Sequence, residues 1–275
     1  MSNTPIVIAE TVSKLPQTNV QLLRQMSAAG YGSEDLIAVA RAYTLGTRLF
    51  SGRYRACGKP FVCHLVGTAA ILVWLRAPIS SVICGLLHAA YQEGDFGNHA
   101  DGMTRRKRDY VRSVIGETAE DLIAAYTLSS RTARALVERH AKFSQLTPLE
   151  TTILLVQLAN ELEDYRETSV LYMRNADYRL NSIRLSAASQ MEMAHLLGFP
   201  ALAEAMRETY GASLATTIPP ELRSSKDNGY TLIPASCRKR WPVMVRNGIN
   251  RVLRKLNRTW GQLHSAVRPS ISHSA

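Results

Sequence analysis

The sequence predicts an all-α fold. Apolar residues recur with helical spacing along most of the chain, whereas alternating, strand-like patterns are few. Breakers separate the helical segments, among them Pro78, Gly116, and Gly198 in front of Pro200. A chain of 275 residues with a 46% hydrophobic composition is long enough to bury a substantial core. We therefore expect a helical bundle, and no internal repeat is evident.

Local signals place the ends of the individual helices. Ser33 is the expected N-cap of the first helix, and Pro148 lies in the first turn of a buried helix that continues as TTILLVQLANELEDY. Gly and Pro residues predict loops in SGRYRACGKP and in GDFGNHADGM. The predicted helices cover about residues 33–50, 61–75, 80–91, 104–115, 117–127, 131–142, 148–165, 175–197 and 200–210.

Composition divides the chain into four segments. An N-terminal extension, residues 1–32, precedes a helical domain, residues 33–212. A linker rich in Pro, Ser and Gly, residues 213–240, leads to a basic amphipathic helix and tail, residues 241–275. Nine positive charges and no acidic residue lie beyond Asp227, so the rest of the chain carries only +2 of the net charge of +11. The basic character therefore belongs to the tail.

The basic tail suggests partners of its own. Apolar residues from Val245 to Trp260 fall on one face of the predicted helix, with arginines between them. Docking on the helical domain, adsorption to an anionic membrane surface and contact with a partner protein are all compatible with such a helix. Specific nucleic-acid binding is not expected, because no recognised reader motif accompanies the charge.

The sequence contains no recognisable targeting or membrane-spanning signal. Its longest apolar runs fall short of the roughly 20 residues that a spanning helix requires, and its first residues lack the basic region of a secretory signal. The four cysteines form no CxxC pair, which fits reduced thiols. We expect a cytoplasmic protein, peripheral at the inner membrane surface if the tail helix is an anchor.

Three separated segments place polar residues at the ends of apolar runs. RYRACGKPFVCH ends in His64, LLHAAYQEGDFG contains His88, and LLVQLANELEDY turns polar at Asn160. This order and spacing resembles the HD-domain superfamily, and within it the hydrolase domain of RelA/SpoT-type alarmone enzymes. The resemblance covers roughly residues 35–175. It is closest to a little-studied bacterial HD-like family in which a small residue also follows the second histidine.

The resemblance implies an HD-like helical bundle with a metal site. In that superfamily two histidines and two aspartates hold a divalent metal, which orients phosphate and activates a water molecule. His64, His88 and Asn160 match ligand positions, so the resemblance implies one divalent metal, Mn, Fe or Zn, and a small phosphorylated ligand. Ala89 and Asn160 stand where the superfamily has aspartates, and neither brings a charge.

The resemblance also assigns roles to five further residues. Glu93 and Asp95 lie in the segment where the hydrolases keep a Glu-Asp pair, so they are the expected catalytic residues. Arg55, Lys59 and Tyr91 are the expected substrate-binding residues, and the planar guanidinium of Arg55 suits a phosphate. The alternatives are solvation of the acidic loop and a structural salt bridge for the arginine.

Two functions remain open at this point. The first is a divergent metal-dependent phosphohydrolase that acts on a nucleotide or a phosphorylated small molecule; the retained histidines and the acidic loop favour it. The second is a catalytically degenerate HD-like module that binds a ligand or a partner; the missing aspartate favours it. Glu163 and Asp164, one turn after Asn160, are either a solvated helix end or carboxylates that approach the histidines.

Overall fold

The computed structural model describes residues 15–97, 102–226 and 228–235, and it confirms the all-α class. The chain divides into two units, Met1–Thr231 and Leu232–Ala275. Only residues 232–235 of the second unit are described, so the predicted basic helix at 241–275 lies outside the described residues. Within the described ranges, no helix is long and apolar enough to cross a membrane.

The first unit consists of helices and two short strands, and most helices lie where the sequence predicts them. The helices predicted to begin near residues 33, 61, 104, 117, 131, 148 and 175 are confirmed to within about two residues at each end. Helical 3₁₀ segments cover Phe143–Gln145, Arg166–Tyr172 and Pro220–Leu222. The named elements are α1 Asn19–Ala28, α2 Ser33–Phe50, β1 Arg53–Tyr54, α3 Phe61–Trp74, α4 Ile79–Leu87, α5 Ala90–Glu93, α6 Arg105–Ile115, α7 Glu117–Leu128, α8 Ala133–Ala141, α9 Pro148–Tyr165, α10 Ala176–Leu196, α11 Pro200–Ala215 and β2 Tyr230–Thr231.

Capping residues explain where two of these helices begin. Pro148 occupies the first turn of α9, as predicted, and Thr147 and Glu150 form a reciprocal capping box in front of it. The expected cap of α2 was wrong by one residue, because Ser33 is already helical. The N–H of Gly32 donates to the Asp35 carboxylate at 3.2 Å, so Asp35 supplies the cap.

The helix predicted over residues 80–91 is broken in two after His88. The imidazole Nδ1 of His88 donates to the carbonyl oxygen of Gly85 at 2.8 Å. This bond satisfies one of the carbonyl groups that the end of a helix leaves free. It fixes the ring at the C-terminus of α4, and Ala89 then turns the chain into the short helix α5.

Helix α3 lies at the centre of the bundle. Every residue from His64 to Val73 is buried. A helix that is apolar around its whole circumference must be covered on all sides, and α1, α2, α4 and α9 pack against it. Helix α9 is the second buried helix, and it also contacts α4, α7 and α11.

Part of the predicted N-terminal extension belongs to this core. Helix α1 buries Leu22 and Met26 completely, and the side-chain amide of Gln25 donates to the Ala70 carbonyl oxygen of α3 at 3.0 Å. Leu15 is also buried, so residues of the predicted N-terminal extension pack against the helical domain.

The two short strands bring part of the predicted linker back to the helical domain. Arg53 pairs with Thr231 and Tyr54 with Tyr230 in antiparallel register, and the two tyrosine rings stack at 5.5 Å. Gly229 lies so close to this loop that a Cβ atom would be 2.7 Å from the Tyr54 carbonyl oxygen. The strands thus hold residues 228 and 229 beside the loop that carries Arg55.

Replacing Leu22 with alanine tests whether α1 is part of the core. We expect a loss of about 2–4 kcal/mol in the free energy of unfolding, because the substitution leaves a cavity at a fully buried position. Val20→Ala, on the same helix but 70% exposed, should change the stability by less than about 0.5 kcal/mol. Urea unfolding of both variants measures the difference, and equal effects would mean that α1 is not packed as described.

Candidate functional site

A polar cavity of about 300 Å³ lies where α4, α5, α9 and α10 meet the loop between β1 and α3. Its wall combines guanidinium, carboxylate and amide groups with the ring of His88, and only a few apolar side chains interrupt them. The charged and amide groups are Arg55, Arg131 and Arg179, then Glu93, Glu161 and Asp164, then Gln92, Asn160, Asn175 and Asn228.

The C-terminal end of α9 carries two buried carboxylates. Glu163 and Asp164 are only 1% and 5% exposed, so the alternative of a solvated helix end is wrong, and Asp164 lies 3.5 Å from His64 as the other alternative expected. Glu163 forms an ion pair with Lys59 and lies 3.4 Å from the guanidinium of Arg166. Buried carboxylates require such partners, because the loss of hydration is otherwise uncompensated.

Asp164 binds two guanidinium groups of the cavity wall. Its Oδ1 atom lies 2.7 Å from Arg55 Nη2, and its Oδ2 atom lies 3.7 Å from Arg179 Nη1. One carboxylate therefore fixes an arginine from the β1–α3 loop and another from α10. Arg55 lines the cavity and forms the buried salt bridge that was the structural alternative, while its role in substrate binding stays a prediction.

Gly67 of α3 makes room for the Glu163 carboxylate. A Cβ atom at residue 67 would overlap both carboxylate oxygens. Burial raises the pKa of Glu163, and the positive charges of Lys59 and Arg166 oppose that rise. Because α3 and α9 approach closely at Gly67, the Glu163 carboxylate is buried there, and Lys59 and Arg166 stabilise its charge.

His64 and His88 are neighbours on the inner side of the cavity. Their Nε2 atoms lie 3.3 Å apart, and the rings meet edge to face. His88 lines the cavity, whereas His64 lies behind it, with Nδ1 3.5 Å from Asp164 Oδ1. Two of the three segments that carry the resemblance therefore meet at these rings.

Both imidazoles are neutral near pH 7. Burial lowers the pKa of His88 to about 4. Burial, and then the positive charge of Arg55, hold the pKa of His64 well below its usual value. Because His88 Nδ1 donates to the Gly85 carbonyl oxygen, its Nε2 atom is an acceptor, and a hydrogen bond between the two rings requires the His64 tautomer that carries hydrogen on Nε2.

The residues around this pair do not match the metal site that the resemblance implies. Asn160 Oδ1 is buried without a hydrogen-bond partner, so one neutral oxygen donor is available beside the two imidazoles. The methyl group of Ala89 replaces a carboxylate. In the part of the chain that the structure describes, no group of three or more His, Cys, Asp and Glu residues could hold a metal ion. Arg55 adds a positive charge that opposes a dication, so we derive no catalytic step from a metal.

The predicted acidic and substrate-binding residues are dispersed around the site. Glu93 lines the cavity and pairs with Arg53 at 2.6 Å. Asp95 lies away from it, since its carboxylate accepts from the Gly97 N–H at 2.7 Å and its own N–H donates to the Leu49 carbonyl oxygen. The helix break after His88 changes the direction of the chain between these two residues.

Two predicted substrate-binding residues do not reach the cavity. The hydroxyl of Tyr91 donates to the buried Glu120 carboxylate at 2.7 Å, beneath α7. Lys59 is held by Glu163 behind the wall of the cavity. Of the eight predicted site residues, those that line the cavity are Arg55, His88, Glu93 and Asn160.

Three charged groups of the cavity were not identified from the sequence. Arg131 lies in the loop after α7, Arg179 in the second turn of α10, and Glu161 next to Asn160. Neither arginine belongs to a recognisable motif, so no spacing signal marks it. Glu161 directly follows Asn160 in the third segment, so its position next to a predicted metal ligand could have identified it.

Arg131 is held by neutral groups. Its guanidinium donates to Gln92 Oε1 at 2.7 Å and to the Tyr126 hydroxyl at 3.2 Å, and it stacks over the Tyr126 ring. It lies within 4 Å of no carboxylate belonging to a described residue. Its charge is therefore positioned but not neutralised by a direct ion pair.

Glu161 changes its charge near neutral pH. Burial, and then the negative charge of Asp164, raise its pKa to about 7. The positive charge of the cavity wall accordingly varies around this pH.

Residues 48–131 match the model of one protein family, described as Domain of unknown function (DUF6817). The matched segment runs from the end of α2 to Arg131, so it includes Arg55, His64 and His88. It ends before α9 and α10, which supply Asn160, Asp164 and Arg179 to the same cavity.

Gly67→Ala tests the buried ion-pair cluster. We expect this substitution to lower the free energy of unfolding by about 3 kcal/mol or more, because the new methyl group displaces the Glu163 carboxylate from its cations. Gly211→Ala is the matched control: Gly211 is exposed on α11 with open space around it, so alanine should stabilise by up to about 1 kcal/mol. Thermal and urea unfolding measure both, and a neutral Gly67→Ala variant would contradict the described packing.

Proposed function

We propose that this chain is an HD-like binding protein whose cavity takes a small phosphorylated molecule without a resident metal. One observation carries the proposal: three guanidinium groups converge on a single small polar cavity, and Arg131 has no carboxylate partner there among the described residues. Planar guanidinium groups bind phosphate through paired hydrogen bonds.

The charge of the cavity favours an anion. Arg55, Arg131 and Arg179 face Asp164 and Glu161, while the charge of Glu93 is balanced by its pair with Arg53. The wall therefore carries one net positive charge when Glu161 is ionised and two when it is protonated. A phosphate group carries one or two negative charges, which would balance the net positive charge of the wall.

The volume and lining of the cavity limit the ligand. About 300 Å³ is at the lower end of the range for small-molecule pockets, which suits a mononucleotide or a sugar phosphate better than a larger molecule. Four side-chain amides offer both donors and acceptors beside the arginines. Such groups fit the hydroxyl or base edges of a polar ligand, and they disfavour a lipid tail.

A metal-dependent phosphohydrolase is the second candidate, and the histidine pair favours it. Two imidazoles that share one ion at about 2.0–2.1 Å in tetrahedral geometry have nitrogens about 3.4 Å apart, close to the 3.3 Å between His64 and His88. Elemental analysis of the purified chain separates the candidates. Stoichiometric Mn, Fe or Zn that His64→Ala or His88→Ala removes would favour the hydrolase, whereas metal-free protein whose phosphate binding survives a chelator would favour the binding module.

Arg131→Ala and Arg179→Ala should each weaken the binding of a nucleoside monophosphate by at least about tenfold, because each removes a charge-assisted contact of about 1.5–3 kcal/mol. Arg134→Ala is the matched control, since Arg134 is exposed on α8 and pairs with Glu138. Isothermal titration calorimetry on the full chain measures all three. Wild-type protein that binds neither a nucleoside monophosphate nor inorganic pyrophosphate would refute the proposal.

The affinity for an anion should fall as the pH rises from about 6 to about 8. Glu161 is protonated below its pKa of about 7 and repels the anion once it ionises. Sulfate is the suitable probe, because its own charge is constant over this range. Glu161→Gln should remove this pH dependence, whereas Glu138→Gln at an exposed site should retain it. A pH profile that is unchanged in Glu161→Gln would show that this carboxyl does not face the bound anion.

A further inference from the structure

A second concave feature lies between α2 and α6, and it shares no lining residue with the polar cavity. Ile37, Arg41, Thr44 and Arg48 recur along α2 at helical spacing, and together with α6 they line a groove. From α6, Arg106, Tyr110 and Val114 follow one another at intervals of four and complete the groove.

The groove consists of two adjoining hollows of about 400 and 460 Å³. They share Arg48 and Tyr110, so one continuous depression runs between the two helices. Its apolar part includes Ile37 and Tyr110, which are 53% and 41% exposed, above the buried Leu45. Single exposed apolar residues are ordinary in proteins, but here they line the same depression.

The arginines of this groove differ from the other arginines of α6. Arg108 and Arg112 are paired with Glu120 and Asp121 of α7, and Arg105 pairs with Asp109.

The three groove arginines, Arg41, Arg48 and Arg106, are exposed. They form no ion pair with any residue in the described ranges. Asp95 lies at one end of the groove, where its carboxylate accepts from the Gly97 N–H. The groove thus has an apolar floor and a rim of net positive charge, with three arginines against the one carboxylate of Asp95.

We propose that this groove binds an amphipathic helix of a partner protein whose apolar residues are flanked by Asp and Glu. The α2 stripe from Ile37 to Arg48 extends over about 16 Å, which matches two to three turns of a bound helix. Charge complementarity requires acidic residues on that helix. The basic tail of this chain has the same sign of charge as the rim, so charge complementarity favours a partner protein over the tail as the occupant.

Selection from a random peptide library displayed on phage, with the full chain as bait, tests this proposal. We expect enriched peptides to carry apolar residues spaced three or four apart together with several Asp or Glu. Binding of these peptides, measured by fluorescence polarisation, should weaken at least tenfold in the Arg41→Glu/Arg48→Glu/Arg106→Glu variant and in Tyr110→Asp. The control variant Arg134→Glu/Arg184→Glu/Arg207→Glu has the same net charge but changes arginines that do not line the groove, and it should bind normally.

Thermal unfolding of every variant verifies that the fold is retained, and Tyr110→Ala replaces Tyr110→Asp if the latter is unstable. Enrichment of basic peptides, a failure to enrich any peptide, or equal loss in the control variant would overturn the proposal. RNA retention that disappears only in the groove variants would also overturn it, because the rim would then serve a nucleic acid. None of these results depends on whether the polar cavity binds phosphate.

Discussion

The burial of two adjacent carboxylates at the end of α9 is the constraint on which the site depends. Glu163 and Asp164 leave water only because Lys59, Arg55, Arg166 and Arg179 surround them. These cations come from the loop before α3, from the turn after α9 and from α10, so satisfying two carboxylates fixes three segments. Replacing one of these ionic residues would leave its partner buried and uncompensated. That change costs far more free energy of unfolding than replacing the whole ion pair with apolar residues.

This cluster also determines what the cavity can do. Asp164 holds Arg55 and Arg179 in the wall, where their remaining N–H groups are available, and Arg131 joins them through neutral contacts with Gln92 and Tyr126. Burial lowers the pKa of both histidines, and the positive charge of Arg55 lowers that of His64 further, so the histidines contribute neutral rings. The cavity therefore presents guanidinium groups in fixed positions beside neutral histidines, and among the described residues no group of three or more His, Cys, Asp and Glu could hold a metal ion.

Much of the fold was predictable because local chemistry determines it. Caps and breakers such as Pro148, Gly116 and Gly198 act within a few residues, and helices begin or end at them as expected. The end of α9 was not predictable from local polarity. A Glu-Asp pair at the end of a helix usually faces water, and its burial depends on Lys59, which is 104 residues away in sequence.

Residues of the candidate site were predictable from the sequence only where they belong to one of the three quoted segments. The adjacency of His64 and His88, and the presence of Arg55 and Asn160 at the cavity, follow the three quoted segments. The positions of Asp95 and Tyr91 outside the cavity follow from the helix break after His88. The hydrogen bond from the His88 side chain to Gly85 accompanies this break, and no helical sequence pattern reveals it. Arg131 and Arg179 depend on how the loop after α7 and the start of α10 pack, and those are properties of the assembled bundle.

We propose that the arginine cavity binds a phosphate-like anion without a metal. Crystals of the full chain soaked in tungstate, a phosphate analogue that scatters X-rays anomalously, test it most directly. We predict an anomalous peak within hydrogen-bond distance of Arg131 and Arg179, and no metal between His64 and His88. A cavity free of tungstate, or a metal ion shared by the two histidines, would refute metal-free anion binding.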